Sequence, residues 1–153
     1  MKIFGNILAA ICLGTAPLYA QTVDALVQTI VKSQKFNEAT AFIDADHDRF
    51  VRELIALTEI PAPPFKEDRR AKAYLEMLRE VGLSDVEQDT EGNVLGIRKG
   101  TGNGPLLAVL AHLDTVFPEG TDVTVKRDGT KLMAPGVGDD TFGLALMLAV
   151  IRR

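Results

Sequence analysis

The chain has 153 residues, a net charge of −4, a hydrophobic fraction of 46% and a charged fraction of 25%. These values are typical of a globular domain and exclude a disordered or fibrous chain. Lys and Arg are outnumbered by Asp and Glu and cluster only in short pairs, so we expect no nucleic-acid partner.

The first twenty residues have the pattern of a secretory signal peptide. Lys2 supplies the positive start, residues 3–15 are mostly apolar, and Ala20 precedes the expected cleavage site. The apolar stretch is shorter than the ~20 residues of a membrane span, so we expect a periplasmic or secreted protein with no membrane contact after cleavage. Cleavage would remove Cys12, the only cysteine, so a metal site in residues 21–153 must use His, Asp and Glu.

Apolar residues at helical spacing predict three helices in the first half of the chain. The first begins at Thr22, the second covers residues 48–58 and stops before a run of prolines, and the third covers residues 66–81. The region between the first two, around residues 37–48, is more polar and is expected to contain a break, and His47 there should be solvated without a metal role. The charged residues of the third helix are expected on its solvated face.

The sequence of the second half of the chain predicts mainly β-strands. Residues 86 and 94–97 should belong to two strands, followed by a glycine-rich loop over residues 99–104. The apolar run Leu106 to Ala111 predicts a strand buried on both faces at the centre of the sheet. Asp128-Gly129 predicts a hairpin between strands at residues 123–125 and 131–133, and an apolar helix covers residues 144–151. This order indicates a single α/β domain.

The central strand ends in two polar residues, His112 and Asp114. Side chains two apart on a strand point the same way, so these two should lie side by side with Leu113 turned away. A neutral imidazole is a good metal ligand, and its second nitrogen commonly donates to a carboxylate that fixes the tautomer. The pair is also compatible with a histidine that is hydrogen-bonded at a strand end and binds no metal.

A second segment changes the balance between these interpretations. The segments 112–118, His-Leu-Asp-Thr-Val-Phe-Pro, and 134–140, Ala-Pro-Gly-Val-Gly-Asp-Asp, flank the predicted hairpin. Together they resemble the dinuclear zinc exopeptidases and deacylases, a family that includes glutamate carboxypeptidase, tripeptide aminopeptidase, acetylornithine deacetylase and succinyl-diaminopimelate desuccinylase. Residues 60–64, Ile-Pro-Ala-Pro-Pro, also look like the N-terminal region of that family. The resemblance extends from about residue 48 to residue 153.

The resemblance implies a role for each of four residues. His112 would be a zinc ligand, Asp114 would act in catalysis by orienting that histidine, and Asp139 would bridge two zinc ions. The bond Asp139-Asp140 would be cis, with Asp140 capping the last helix or supporting the site. The implied cofactor is a pair of zinc ions, with cobalt or manganese as alternatives, and the implied reaction is hydrolysis of amide bonds in peptides or N-acyl amino acids.

The resemblance also implies parts that these motifs do not include. The family uses a general-base glutamate, further metal ligands and a lid domain through which many members form homodimers. We therefore expect a truncated zinc-exopeptidase-like fold, a central mixed sheet flanked by helices, in which residues 21–153 are the N-terminal portion of a catalytic domain. The isolated chain should show negligible hydrolysis and weak metal affinity.

Two other interpretations remain open from the sequence. One is a secreted, non-catalytic α/β binding domain that retains the scaffold without the chemistry. The other is a secreted structural domain in which His112 and Asp114 only hydrogen-bond. A reading frame that continues beyond codon 153 with a Glu-Glu pair would favour the enzyme over the binding domain.

Overall fold

A computed structural model of the chain describes residues 18–152, with side chains from Val23 onward. The chain divides into two units, one ending at Glu38 and one beginning at Ala39. The predicted signal peptide, residues 1–20, falls outside the described part except for its last three residues. Over the part that is described, no helix is both long enough and apolar enough to cross a membrane.

The first two helices are α1, Leu18–Val31, and α2, Gln34–Ala45. The break expected within residues 37–48 is confirmed, since α2 ends at Ala45 and only Asp46 separates it from the next helix; the helix before the break was not predicted. Ser33 explains the start of α2, because its hydroxyl accepts a hydrogen bond from the N–H of Phe36 at 3.2 Å. No residue of α2 is buried, which is why an apolar pattern did not reveal it.

Three helices build the core of the second unit: α3, His47–Thr58; α4, Asp68–Glu80; and α5, Thr141–Arg152. Helix α3 packs against α5, where the rings of Phe50 and Phe142 meet edge to face with centroids 5.3 Å apart. A largely buried ion pair between Arg152 and Glu53, at 2.6 Å, joins the same two helices. The core consists of apolar side chains from all three helices, Leu57, Tyr74, Leu78, Leu144 and Leu148.

Four strands form two separate antiparallel hairpins, so the chain is mixed α/β. Strands β1, Ser84–Gln88, and β2, Val94–Ile97, pair with each other and pack against α4. Strands β3, Lys126–Asp128, and β4, Lys131–Met133, pair around the predicted Asp-Gly turn. The first strand of that hairpin lies three residues later than expected, because the ladder runs directly into the turn.

The predicted central strand, Leu106 to Ala111, is wrong for this structure. These residues belong to no sheet, and no central mixed sheet forms within residues 18–152. Leu106 and Leu110 are 98% and 86% exposed. An apolar run predicts burial correctly only where other elements cover it, and the described residues supply neither a strand beside this segment nor a layer above it. Ala111 and Leu113, in contrast, pack against the helical core.

Stability should depend on the face of α5 that meets the core. Leu148 is fully buried and Leu146 is 41% exposed on the same helix. We expect Leu148→Ala to lower the free energy of unfolding by about 2–5 kcal/mol, because it leaves a cavity among packed helices. Leu146→Ala is the matched control and should cost less than about 1 kcal/mol. Urea denaturation followed by circular dichroism measures both, and equal losses would contradict this core.

Candidate metal site at His112 and Asp139

His112 lies between acceptor groups on both sides of its ring. Its Nδ1 is 3.0 Å from the backbone oxygen of Asp114 and 3.1 Å from the carboxylate Oδ1 of the same residue. Its Nε2 is 2.9 Å from Oδ1 of Asp139. The structure therefore brings together the three predicted site residues, His112, Asp114 and Asp139, although His112 and Asp139 are 27 positions apart in the chain.

Local backbone geometry places these groups. His112 and Asp114 follow the unpaired segment 105–111, yet they still share one side of the chain while Leu113 packs against the core, as expected from alternation. Asp139 lies in the turn that leads into α5. The peptide bond Asp139-Asp140 is cis, as the resemblance implied.

Asp140 ties the start of α5 to the backbone of His112. Its Oδ2 accepts from the backbone N–H of His112 at 3.2 Å, and its Oδ1 accepts from the N–H of Gly143, also at 3.2 Å. A Cβ on Gly143 would lie 2.2 Å from Oδ1 of Asp140, so any side chain there would displace the carboxylate. Asp140 thus contacts both the first turn of α5 and the backbone of His112, which is compatible with either of the roles expected for it.

A buried arginine that the sequence analysis missed holds the backbone between His112 and Asp114. Arg70 is fully buried, and its Nη1 donates to the carbonyl oxygen of Leu113 at 2.8 Å. The charged residues of α4 were expected on its solvated face, which is wrong for Arg70. The sequence did indicate this burial, because Arg70 lies four residues before Tyr74 and therefore on the apolar stripe of the helix.

A second contact fixes the chain just after Asp114. The backbone N–H of Thr115 donates to the carbonyl of Ala62 at 2.8 Å, and both residues are buried. Gly136 lies against Thr115 with a φ of 79°, and a Cβ at Gly136 would come within 2.6 Å of the Thr115 methyl group. Only glycine allows this approach, which brings the turn before Asp139 close to the strand-like segment.

The electrostatics of His112 follow from its neighbours. Burial acts to lower the pKa of His112, but the hydrogen bonds to Asp139 and to Asp114 and the nearby charge of Asp140 outweigh it and raise the pKa above its ordinary value. The site is open to water, since 49% of the His112 side chain and 85% of the Asp139 side chain are exposed. His47, in contrast, is exposed at the start of α3, as expected.

An open groove of about 900 Å³ borders the site. His112 and Asp114 line it on one side, and apolar side chains such as Tyr74, Leu110 and Leu144 contribute elsewhere. Phe65 also faces the groove, 97% exposed and with a φ of 64°. A concave surface with a few convergent polar groups is the usual setting for a ligand.

The donor set suits zinc but is incomplete. An imidazole nitrogen and carboxylate oxygens are ordinary zinc ligands, and the carboxylate beside Nδ1 of His112 is the usual support for such a ligand. Within the described part of the chain, however, no group of three or more His, Cys, Asp or Glu side chains could hold a metal ion. His112 and Asp139 could thus contribute two protein ligands to a site.

Comparison with known proteins gives partial relatives. No family model matches the chain. The uncharacterized protein YgeY of Escherichia coli strain K12 is 42% identical over 73 residues, which is 47% of this chain and 17% of YgeY. A Pyrococcus abyssi protein named "Putative LysW-lysine/LysW-ornithine hydrolase" is 40% identical over 68 residues, 44% of this chain and 18% of that protein. The chain spans less than a fifth of either relative, and the likeness supports a hydrolase-like function.

The pKa of His112 gives a direct test of its contact with Asp139. In metal-free protein we expect an NMR titration to place the pKa of His112 above the ordinary ~6.5. Asp139→Asn keeps the shape but removes the charge, so it should lower that pKa. Because the folded pKa is raised, the contact stabilises the fold below about pH 6.5 and this contribution is lost as pH rises through the folded value. An unchanged pKa in Asp139→Asn would contradict the contact.

Proposed function

We propose that the chain is the N-terminal portion of the catalytic domain of a zinc-dependent hydrolase that cleaves amide bonds in peptides or N-acyl amino acids. His112 and Asp139 would hold the metal, and Asp114 would orient His112. The supporting observation is the 2.9 Å approach of His112 Nε2 to Asp139 Oδ1, with Asp114 on the opposite nitrogen.

That approach requires a proton or a metal ion between the two atoms. Both groups facing Nδ1 of His112 are acceptors, so Nδ1 must carry a proton. A neutral imidazole then has a lone pair on Nε2, which would face a carboxylate oxygen of Asp139. Two lone pairs at this distance repel each other unless a proton or a metal ion lies between them. A metal ion would therefore replace the proton that the two groups share.

Each residue of such a site would have a separate role. Asp114 keeps the proton of the neutral ring on Nδ1 and so directs the lone pair of Nε2 towards Asp139. The two oxygens of Asp139 allow one carboxylate to contact two ions. When bound, zinc supplies Lewis-acid polarisation of a substrate carbonyl and activates water for attack on it. The groove beside His112 and Asp114 is where we place the substrate.

The partial coverage of the relatives supports assigning this activity to a longer protein. The putative hydrolase of Pyrococcus abyssi is matched over only 18% of its length. In the longer protein, the exposed apolar segment 105–111 would become a strand of a central mixed sheet, covered on both faces. The general base, the remaining ligands and a lid domain that forms homodimers would come from the rest of that protein. Export directed by residues 1–20 would place it in the periplasm or outside the cell.

Zinc titration of the metal-free chain tests the proposed ligands. We expect zinc to shift the imidazole ¹⁵N signals of His112 and to raise the melting temperature, because an ion that binds only the folded state stabilises it. His112→Ala and Asp139→Ala should each abolish the thermal shift. Cobalt and manganese, added separately, would show which other ions the two residues accept.

His47→Ala is the matched control for this titration, since it removes the other histidine, which is exposed and lies on α3. It should leave the response to zinc unchanged. A thermal shift that survives His112→Ala, or the absence of any response in the unaltered chain, would contradict the proposed site. The second result would favour a structural domain in which His112 and Asp114 only hydrogen-bond.

A further inference from the structure

Arg70 is the one fully buried charged side chain among the residues whose burial is described. It lies on α4, and its guanidinium reaches three backbone carbonyls from two different segments. Nε and Nη2 donate to the carbonyl of Ile60 at 3.1 and 2.7 Å, and Nη2 also reaches that of Thr58 at 3.5 Å. Nη1 donates to the carbonyl of Leu113 at 2.8 Å.

The contact with Leu113 matters because of where that carbonyl lies. It belongs to the residue between His112 and Asp114, so its orientation fixes the peptide plane that joins Leu113 to Asp114. The described residues provide no sheet to hold this segment. Side chains anchor it instead: Arg70 of α4 holds the carbonyl of Leu113, and Asp140 at the start of α5 holds the N–H of His112. The guanidinium is planar and rigid, so it also fixes the distance between Leu113 and the turn at Ile60.

A second hydrogen bond joins the same two segments of the chain. Two residues beyond Ile60, the carbonyl of Ala62 accepts from the N–H of Thr115 at 2.8 Å. The segment after α3 is therefore attached to the segment 113–115 twice, once through Arg70 and once directly. His112 and Asp114 lie on either side of the anchored carbonyl, and the contact of Nδ1 with Asp114 depends on both remaining in place.

From this geometry we propose that Arg70 is a positioning residue: by holding the carbonyl of Leu113, it sets the distance and orientation of the His112–Asp114 pair. The inference rests on the proposed function for its significance, since the pair then presents Nε2 of His112 to a metal. It acts through the backbone and touches neither substrate nor metal. A purely structural arginine would stabilise the core without affecting the pair.

The test compares Arg70→Met and Arg70→Lys with Arg69→Met, a control at the adjacent, exposed position on the same helix. In metal-free protein, imidazole ¹⁵N spectra give the fraction of the neutral His112 ring that is protonated on Nδ1. Hydrogen exchange gives the protection of the Thr115 amide and, separately, of the core amides of Leu57 and Leu148. These measurements require no metal and no activity.

We expect Arg70→Met to reduce the Nδ1-protonated fraction at least twofold and to speed exchange of the Thr115 amide at least tenfold, with core amides still protected. Arg70→Lys keeps a charged donor and should recover part of both losses, and Arg69→Met should match the unaltered chain. A His112 ring and a Thr115 amide that do not respond would overturn the proposal. Loss of core protection in both Arg70 variants would overturn it too, because Arg70 would then be a folding residue.

Zinc alone, added in a second arm, separates this proposal from the proposed function. If the unaltered chain binds zinc, Arg70→Met should bind it at least tenfold more weakly, as is usual when the support of a ligand is lost. Equal affinities would overturn the role of Arg70. If the unaltered chain binds no zinc, the proposed function fails, while the metal-free spectra still decide whether Arg70 positions the pair.

Discussion

The contact between Nε2 of His112 and Oδ1 of Asp139, at 2.9 Å, is the interaction on which the rest of the site depends. It joins the end of an apolar segment to the start of α5, and it places a ring nitrogen against a carboxylate. Acceptors on the other ring nitrogen leave the pair in need of a positive charge between them. A proton meets that need in the metal-free protein, and a divalent cation would meet it with the same two atoms.

The helical core positions the two residues of this contact. Helices α3, α4 and α5 pack around Leu57, Tyr74 and Leu144, and the site lies where α5 begins. Asp140 connects that helix start to the backbone of His112, and Arg70 connects α4 to the carbonyl of Leu113. The charged and exposed side chains of the site are thus held in place by contacts to the backbone beside them.

Sequence patterns predicted the parts of this structure that depend on local chemistry. Helices α3, α4 and α5 followed from apolar spacing, and the hairpin around Gly129 followed from its turn residues. The pairing of His112 with Asp114 followed from strand alternation. The approach of Asp139 came from a resemblance in two segments, because no local rule joins residues that far apart in the chain.

The failures have physical causes as well. The apolar run at residues 106–111 carries the composition of a buried strand, but a strand exists only where neighbours accept its hydrogen bonds. Helix α2 has no buried residue, so the sequence showed no apolar face from which the helix could be predicted. Arg70 was assigned to solvent because arginine is rarely fully buried, and its three carbonyl partners come from segments that only the fold brings together.

The most direct test of the central claim is a crystal structure of the chain soaked in zinc, with anomalous diffraction recorded at the zinc absorption edge. We expect one anomalous peak in contact with both Nε2 of His112 and the carboxylate of Asp139, and with Asp114 still bonded to Nδ1. Side chains of His112 and Asp139 that point away from each other, or zinc bound only elsewhere, would contradict the account.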